Sequence, residues 1–238
     1  MPGGKNTMYK NLINQKILYK HNDDLDELVG RKQFNFMAGN FSVCTNEEIN
    51  RLVIETNKLG EILKMLKDLA NCRNCQLYSN QLPLIDKKEE CDVMWVGLSA
   101  KKVENLKIDY PLGEDTNSGK IIKEVEDKLP NVKYYKTNLV KCLPLDKNGK
   151  IRYPNNDEMN ACINNLIKEI EILNPKVVFL LGNNVSNFVK KYIKKHDIKL
   201  NVYFKSIEHP SYIYIYKRKN KHDYINRLIN EINSVLDY

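Results

Sequence analysis

The chain has 238 residues, enough for one sizeable core or for one domain with an extension. Hydrophobic residues make up 42% and charged residues 29%, which excludes a disordered tail, and no apolar run approaches the roughly 18 residues that a membrane helix needs. Lys and Arg (38) outnumber Asp and Glu (30), and the net charge of +8 favours a polyanionic partner such as nucleic acid. The start shows no basic, then apolar, then small-residue leader, so a cytoplasmic location is expected; the expected state is a monomer. Six cysteines in such a chain point to metal or cluster ligation before disulfides.

Residues 1–44 are polar and weakly periodic, with Asp23 to Leu28 able to start a short helix. They read as a helical N-terminal extension to a domain spanning 45–238. Thr45-Asn46-Glu47-Glu48 is a capping box, with Thr at the cap and Glu three residues on. Ile49, Leu52, Val53, Leu59, Ile62, Leu63, Leu66 and Leu69 then recur at three and four, which predicts an amphipathic helix leading to Cys72 and Cys75. Asp92 to Gly97 is a short apolar run ended by glycine, as in a buried parallel strand. The long loop from Leu98 to Gly119 is of a length that usually carries function. A helix over 121–129 and a strand over 132–140 follow. Asn148-Gly149 predicts a small hairpin. Asn156 opens a helix that Pro175 stops. Lys176 to Gly182 reads as a strand, 185–195 as a helix, Val202 to Ile207 as the last strand, and 221–236 as a final helix.

Strands alternating with helices predict an α/β fold, a central parallel four-stranded sheet flanked by helices. Ligands bind such sheets outside the C-terminal strand ends. Those ends carry Gly97 to Ser99, Asn138, Gly182 to Asn184, and His209.

Cys72, Cys75, Cys142 and Cys162 form the pattern C-x2-C-x66-C-x19-C. Four thiolates suit zinc or an iron–sulfur cluster by ligand type. Structural zinc sites usually present two close pairs, and this chain has one, which tilts the reading to a cluster. Cys44 and Cys91 lack such partners and read as ordinary residues.

The Cys72/Cys75 pair, Asn138-Leu139-Val140-Lys141-Cys142-Leu143-Pro144, Glu158 with Cys162, Pro175 to Gly182, and His209-Pro210-Ser211 together resemble the iron–sulfur uracil-DNA glycosylases of families 4 and 5. The likeness runs from about Leu52 to Tyr238 with all elements in order. It implies a four-iron four-sulfur cluster on the four cysteines and hydrolysis of a base–sugar bond after base flipping in DNA. Asn138, which both donates and accepts, is then the reader of the pyrimidine edge. His209 is the group that stabilises the departing base.

The chain departs from that pattern at the pocket. Family 4 members carry Gly-Glu-Ala-Pro-Gly where this chain has Gly97-Leu98-Ser99-Ala100-Lys101, so Leu98 replaces a carboxylate; family 5 members have an apolar residue there. The family's Pro-Phe corresponds to Pro111-Leu112, with Tyr110 as the aromatic candidate beside it. Asp115 is the candidate replacement acid. Tyr214, Lys217, Arg218 and Lys219 supply a wedge and phosphate contacts. These departures favour a modified pyrimidine, such as a glucosylated hydroxymethylcytosine of phage DNA, as taken by defence-type relatives. The alternatives are ordinary uracil repair and an inactive cluster-bearing DNA-binding protein.

Overall fold

The computed structural model describes residues 46–236, with side chains from Ile54 onward. The expected N-terminal extension, Cys44 and the capping residue Thr45 lie outside the described residues. By its internal contacts the chain parts into two units, residues 1–60 and 61–238.

In chain order the elements are α1 (Asn46–Ala70), β1 (Val93–Ser99), α2 (Asn117–Glu126), β2 (Tyr134–Val140), α3 (Asn156–Leu173), β3 (Val177–Leu181), α4 (Asn183–Lys195), β4 (Tyr203–Ile207), α5 (Pro210–Tyr216) and α6 (Lys221–Leu236). All four strands are parallel, in the order β2-β1-β3-β4. The connections from β1 and from β3 therefore leave in opposite directions, and the crevice between those two strands is where open α/β sheets take their ligands.

Strand side chains alternate between the faces, so each strand feeds two apolar clusters. Met94, Val96, Val178 and Leu180 pack with Ile62, Met65 and Leu69 of α1, Ile163 and Leu166 of α3, and Val185 and Val189 of α4. Val93, Trp95, Val177 and Phe179 pack on the other face with Ile121 and Val125 of α2 and Ile225, Leu228 and Ile232 of α6. Trp95 stacks on Phe179 with ring centroids 4.7 Å apart.

The four strands fall where the sequence puts them. Helix α2 begins at Asn117, four residues ahead of the expected start, because the Thr116 side chain accepts from the Gly119 N–H and caps it. Helix α3 opens with a full capping box between Asn155 and Glu158. The Asn148-Gly149 turn closes an antiparallel bridge between Leu145 and Ile151, with Gly149 at φ 74°. The segment after His209 is a short helix, α5, opened by Pro210 at its first position.

Although β2 is an edge strand, every one of its residues is buried. The segment before β1 covers that edge. Asp86 accepts from the Lys136 N–H at 3.0 Å, and the Leu84 N–H donates to the Lys141 carbonyl at 2.8 Å. The opposite edge, β4, is largely open, with Tyr203 and Ser206 exposed.

Candidate active site

Two glycines at the ends of the central strands define the site. Gly97 pairs with Asn138 across β1 and β2. A Cβ on Gly97 would overlap Asn138 Oδ1 and would stand 3.3 Å from Leu112 Cδ2. Gly97 is thus the residue that lets the buried Asn138 amide lie over β1, with Leu112 beside it. On the neighbouring strand, Gly182 follows β3 at φ 90°, a backbone that side chains rarely adopt. A Cβ there would meet His209 Cβ at 3.3 Å. Asn138 comes from edge strand β2 and His209 from the end of edge strand β4. Each leans inward over a glycine on the adjacent central strand, and those central strands stand about 4.8 Å apart.

His209 caps α5. Its Nδ1 accepts from the Ser211 N–H at 3.3 Å and stands 2.7 Å from Ser211 Oγ. A backbone donor on Nδ1 assigns the ring proton of the neutral imidazole to Nε2. Burial holds the His209 pKa below its ordinary value, so the neutral ring is the resting form.

The loop after β1 is pinned at both ends. Leu112 has φ 53°, unusual for a branched side chain outside glycine, and Gly119 sits against the Gly113 and Leu112 carbonyls too closely for any Cβ. Lys136 lies buried two residues before Asn138, ion-paired with Glu126 at 2.9 Å and 5.5 Å from the Tyr110 ring centre. Tyr110 is thereby held near the loop's apex, half-buried. Asp115 pairs with Lys101, and its side chain is 62% exposed. Leu98 is half-buried and packs against the α1, α3 and α4 cluster, the face opposite Trp95. Ser99, also half-buried, ends the strand.

On α5 and beyond it, Lys120 and Arg218 flank the Tyr214 ring at 5.7 and 5.5 Å, and Lys217 lies 5.3 Å from the Tyr212 ring centre. Lys217, Arg218 and Lys219 are all exposed. This is a basic, aromatic projection at the C-terminal rim of the sheet.

The four cysteines meet. Cys72, Cys75, Cys142 and Cys162 line one small cleft with Tyr78, Pro83, Val140 and Ala161. Three segments supply them: the loop after α1, the loop after β2, and the second turn of α3. Burial first, and then the neighbouring Cys162, Cys75 and Cys72, push the Cys142 thiol up to about 12. Burial likewise raises Cys162. Four crowded thiols with Arg73 as the nearby cation are an environment that a multivalent iron centre would complete, by turning thiols to thiolates. Among the described residues no three His, Cys, Asp or Glu side chains stand close enough for one metal ion. Asn165 Nδ2 donates to Cys72 Sγ at 3.5 Å and to Cys162 Sγ at 3.9 Å, and the Lys141 N–H donates to Cys162 Sγ at 3.4 Å. Cys91 stands apart, and burial pushes its thiol far up.

Reasoning from sequence missed Gly182 as the seat of His209, and it missed the buried partners of Lys141. A glycine directly after a buried apolar run was the available signal for the first. Glu169, a lone acid on the inward stripe of α3, was the signal for the second.

The fold and its rim define an open parallel α/β protein with its ligand site at the strand ends. Residues 83–233 match the model of the uracil DNA glycosylase superfamily, and the chain belongs to that superfamily. It is 26% identical to the Type-4 uracil-DNA glycosylase of Archaeoglobus fulgidus over 130 residues, covering 52% of this chain and 61% of that protein. It is 24% identical to the Type-4 uracil-DNA glycosylase of Sulfurisphaera tokodaii over 166 residues, 68% of this chain and 70% of that protein. Against the solved structure of SMUG2 from Pedobacter heparinus the TM-score is 0.48 at 16% identity, over 63% of this chain and 77% of the other. No described helix is long and apolar enough to cross a membrane.

Proposed function

We propose that this protein is a DNA glycosylase, a hydrolase that breaks the N-glycosidic bond of a flipped pyrimidine nucleotide and leaves an abasic site. One observation carries the reading: Asn138 and His209 lean from opposite edges of the sheet over Gly97 and Gly182, at the switch point between β1 and β3.

A base that enters above Gly97 meets the Asn138 amide, whose N–H and C=O match the mixed donor and acceptor edge of a pyrimidine. As the C–N bond breaks, both electrons leave with the base and positive charge grows on the sugar. His209, neutral and protonated at Nε2, donates a hydrogen bond to the base oxygen on which the negative charge collects. Water then adds to the sugar. The Asp115 carboxylate is the group assigned to that water, accepting its proton as the new C–O bond to the sugar forms, while the departed base anion takes a proton from solvent; the role requires the pair with Lys101 to open. Tyr214, Lys217, Arg218 and Lys219 are assigned to DNA, the cations to phosphates and the ring to the gap left by the flipped base. Cys72, Cys75, Cys142 and Cys162 would hold a four-iron four-sulfur cluster. Such a cluster would act as a staple joining three distant segments, with no part in bond cleavage.

For the substrate, the reading is a modified pyrimidine larger than uracil. Leu112 beside Gly97 supports it, because an aliphatic side chain there forgoes base stacking worth about 1–3 kcal/mol. Glu114 and Asp115, exposed in the loop before α2, can hydrogen-bond a hydroxylated substituent. The test is single-turnover excision from matched duplexes holding uracil, hydroxymethylcytosine or glucosylated hydroxymethylcytosine. Faster release of a modified base is expected. Faster release of uracil returns the protein to uracil repair, as the names of its relatives suggest. No abasic product from any of them refutes glycosylase activity on these bases.

A further inference from the structure

The described residues contain one fully buried ion pair that the proposed chemistry does not use. Lys141 Nζ lies 2.5 Å from Glu169 Oε2, and both side chains are at most 1% exposed. Taking two charges out of water costs more than their attraction usually returns, so such a pair is weak evidence for stability and calls for another role. This pair is fully connected. Glu169 accepts from Tyr135 OH at 3.0 Å and from Thr137 Oγ1 at 3.1 and 3.0 Å. Lys141 Nζ lies 2.7 Å from Thr137 Oγ1 and donates to the Asn138 carbonyl at 2.6 Å.

That last bond matters for its place in the strand. Main-chain groups two residues apart on a strand point the same way. The Lys136 N–H points to the outer edge of β2, where Asp86 takes it. The Asn138 carbonyl points to the same edge, where no strand follows. Lys141 is its partner, and without the ammonium a buried carbonyl is left unpaired. The ammonium thus fixes the main chain of the residue whose side chain lies over Gly97. The Lys141 main-chain N–H in turn donates to Cys162 Sγ at 3.4 Å. One residue is bonded both to the amide's main chain and to the thiol cleft.

We propose that Lys141, anchored by Glu169, is the positioning residue of Asn138 and the tie between the cysteine cleft and the base pocket. The inference rests on the reading of Asn138 as the base-reading amide.

Three variants test it. Lys141→Met removes the ammonium and strands the Glu169 charge. Lys141→Met with Glu169→Gln leaves no stranded charge and keeps an acceptor for Tyr135 and Thr137. Glu169→Gln alone keeps the ammonium on Asn138. The double variant is expected to melt above Lys141→Met, to hold the same iron as the wild type because the main-chain N–H to Cys162 remains, and still to excise at least about tenfold more slowly. Glu169→Gln is expected to melt below the wild type, because it strands the buried Lys141 ammonium, and to excise faster than the double variant, because Lys141 Nζ remains beside the Asn138 carbonyl. Recovery of the full rate together with stability in the double variant would reduce the pair to a structural role and overturn the proposal.

Crystal structures of the wild type and of Glu169→Gln and the double variant read the same point without substrate. Asn138 off Gly97, or in two rotamers, is expected in the double variant only; an unmoved Asn138 would overturn the proposal. If Asn138→Ala excises at the wild-type rate, the reading of Asn138 fails instead, and the crystallographic position still decides whether Lys141 sets it.

Discussion

The two edge strands deliver the two candidate site residues in opposite ways. Strand β2 is buried along its whole length, and Asn138 at its end is fixed from below by Gly97, from the edge by Lys141 and from the cleft side by the segment running to Cys142. Strand β4 is mostly open to solvent, and His209 beyond it is held by Gly182, by its own cap on Ser211 and by the short helix α5. The Glu208 carbonyl beside it accepts from Tyr224 OH of α6 at 2.6 Å. A residue that reads shape must not move, and one embedded in a packed edge does not. A residue next to the exposed basic projection of α5 sits where exposed groups have few neighbours to lose. Changes at the β2 end should therefore cost stability and activity together, whereas changes at the β4 end should cost chiefly activity or DNA affinity, with stability touched only through the proton linkage of His209.

The largest effect is expected at the thiol cleft. Anaerobically purified protein should hold close to four irons per chain, and Cys142→Ala should lose iron and soluble yield together. Iron analysis with thermal melting checks this, and stoichiometric zinc without iron would sink the cluster assignment. Next comes Gly97→Ala. The added methyl overlaps Asn138 Oδ1, so excision should fall at least about tenfold with the amide's chemistry untouched. Single-turnover rates at saturating enzyme decide it.

A smaller effect concerns pH. Folding holds His209 below its ordinary value of 6.5, so the unfolded chain takes up this proton first as the pH falls. The contribution of His209 to stability should be fully present above about pH 6.5 and be lost as the pH drops from there toward the folded value. Melting temperatures across that window should slope in the wild type and slope less in His209→Ala. The smallest effect on chemistry is expected from Lys217→Ala, Arg218→Ala or Lys219→Ala. Each should weaken DNA binding across sequences and reduce the salt slope by about 1 per lost phosphate contact, leaving the saturated excision rate in place.

The same contrast explains what was legible in the sequence. Apolar runs such as Lys176 to Leu181 announce a buried strand because both faces must be dry. The four cysteines could be grouped because a thiol set has a narrow range of uses. The start of α2 was misjudged because its cap is Thr116, inside a loop whose polar residues hide the helix signal. The turn of α5 was not legible: Tyr212 to Tyr216 alternate and cluster in ways that suit several backbones, and Pro210 at the first helical position decides the matter. The partnership of Lys141 with Glu169 spans 28 positions, and no local pattern encodes a contact between a strand end and a helix interior.

The most direct test of two side chains converging on one base is single-turnover excision by iron-replete protein, comparing the wild type with Asn138→Ala and with His209→Ala. On whichever pyrimidine the wild type releases, each variant should form abasic sites at least about tenfold more slowly, a loss of roughly 1.4 kcal/mol of transition-state stabilisation, with DNA affinity unchanged. Full single-turnover rate in either variant would contradict the account.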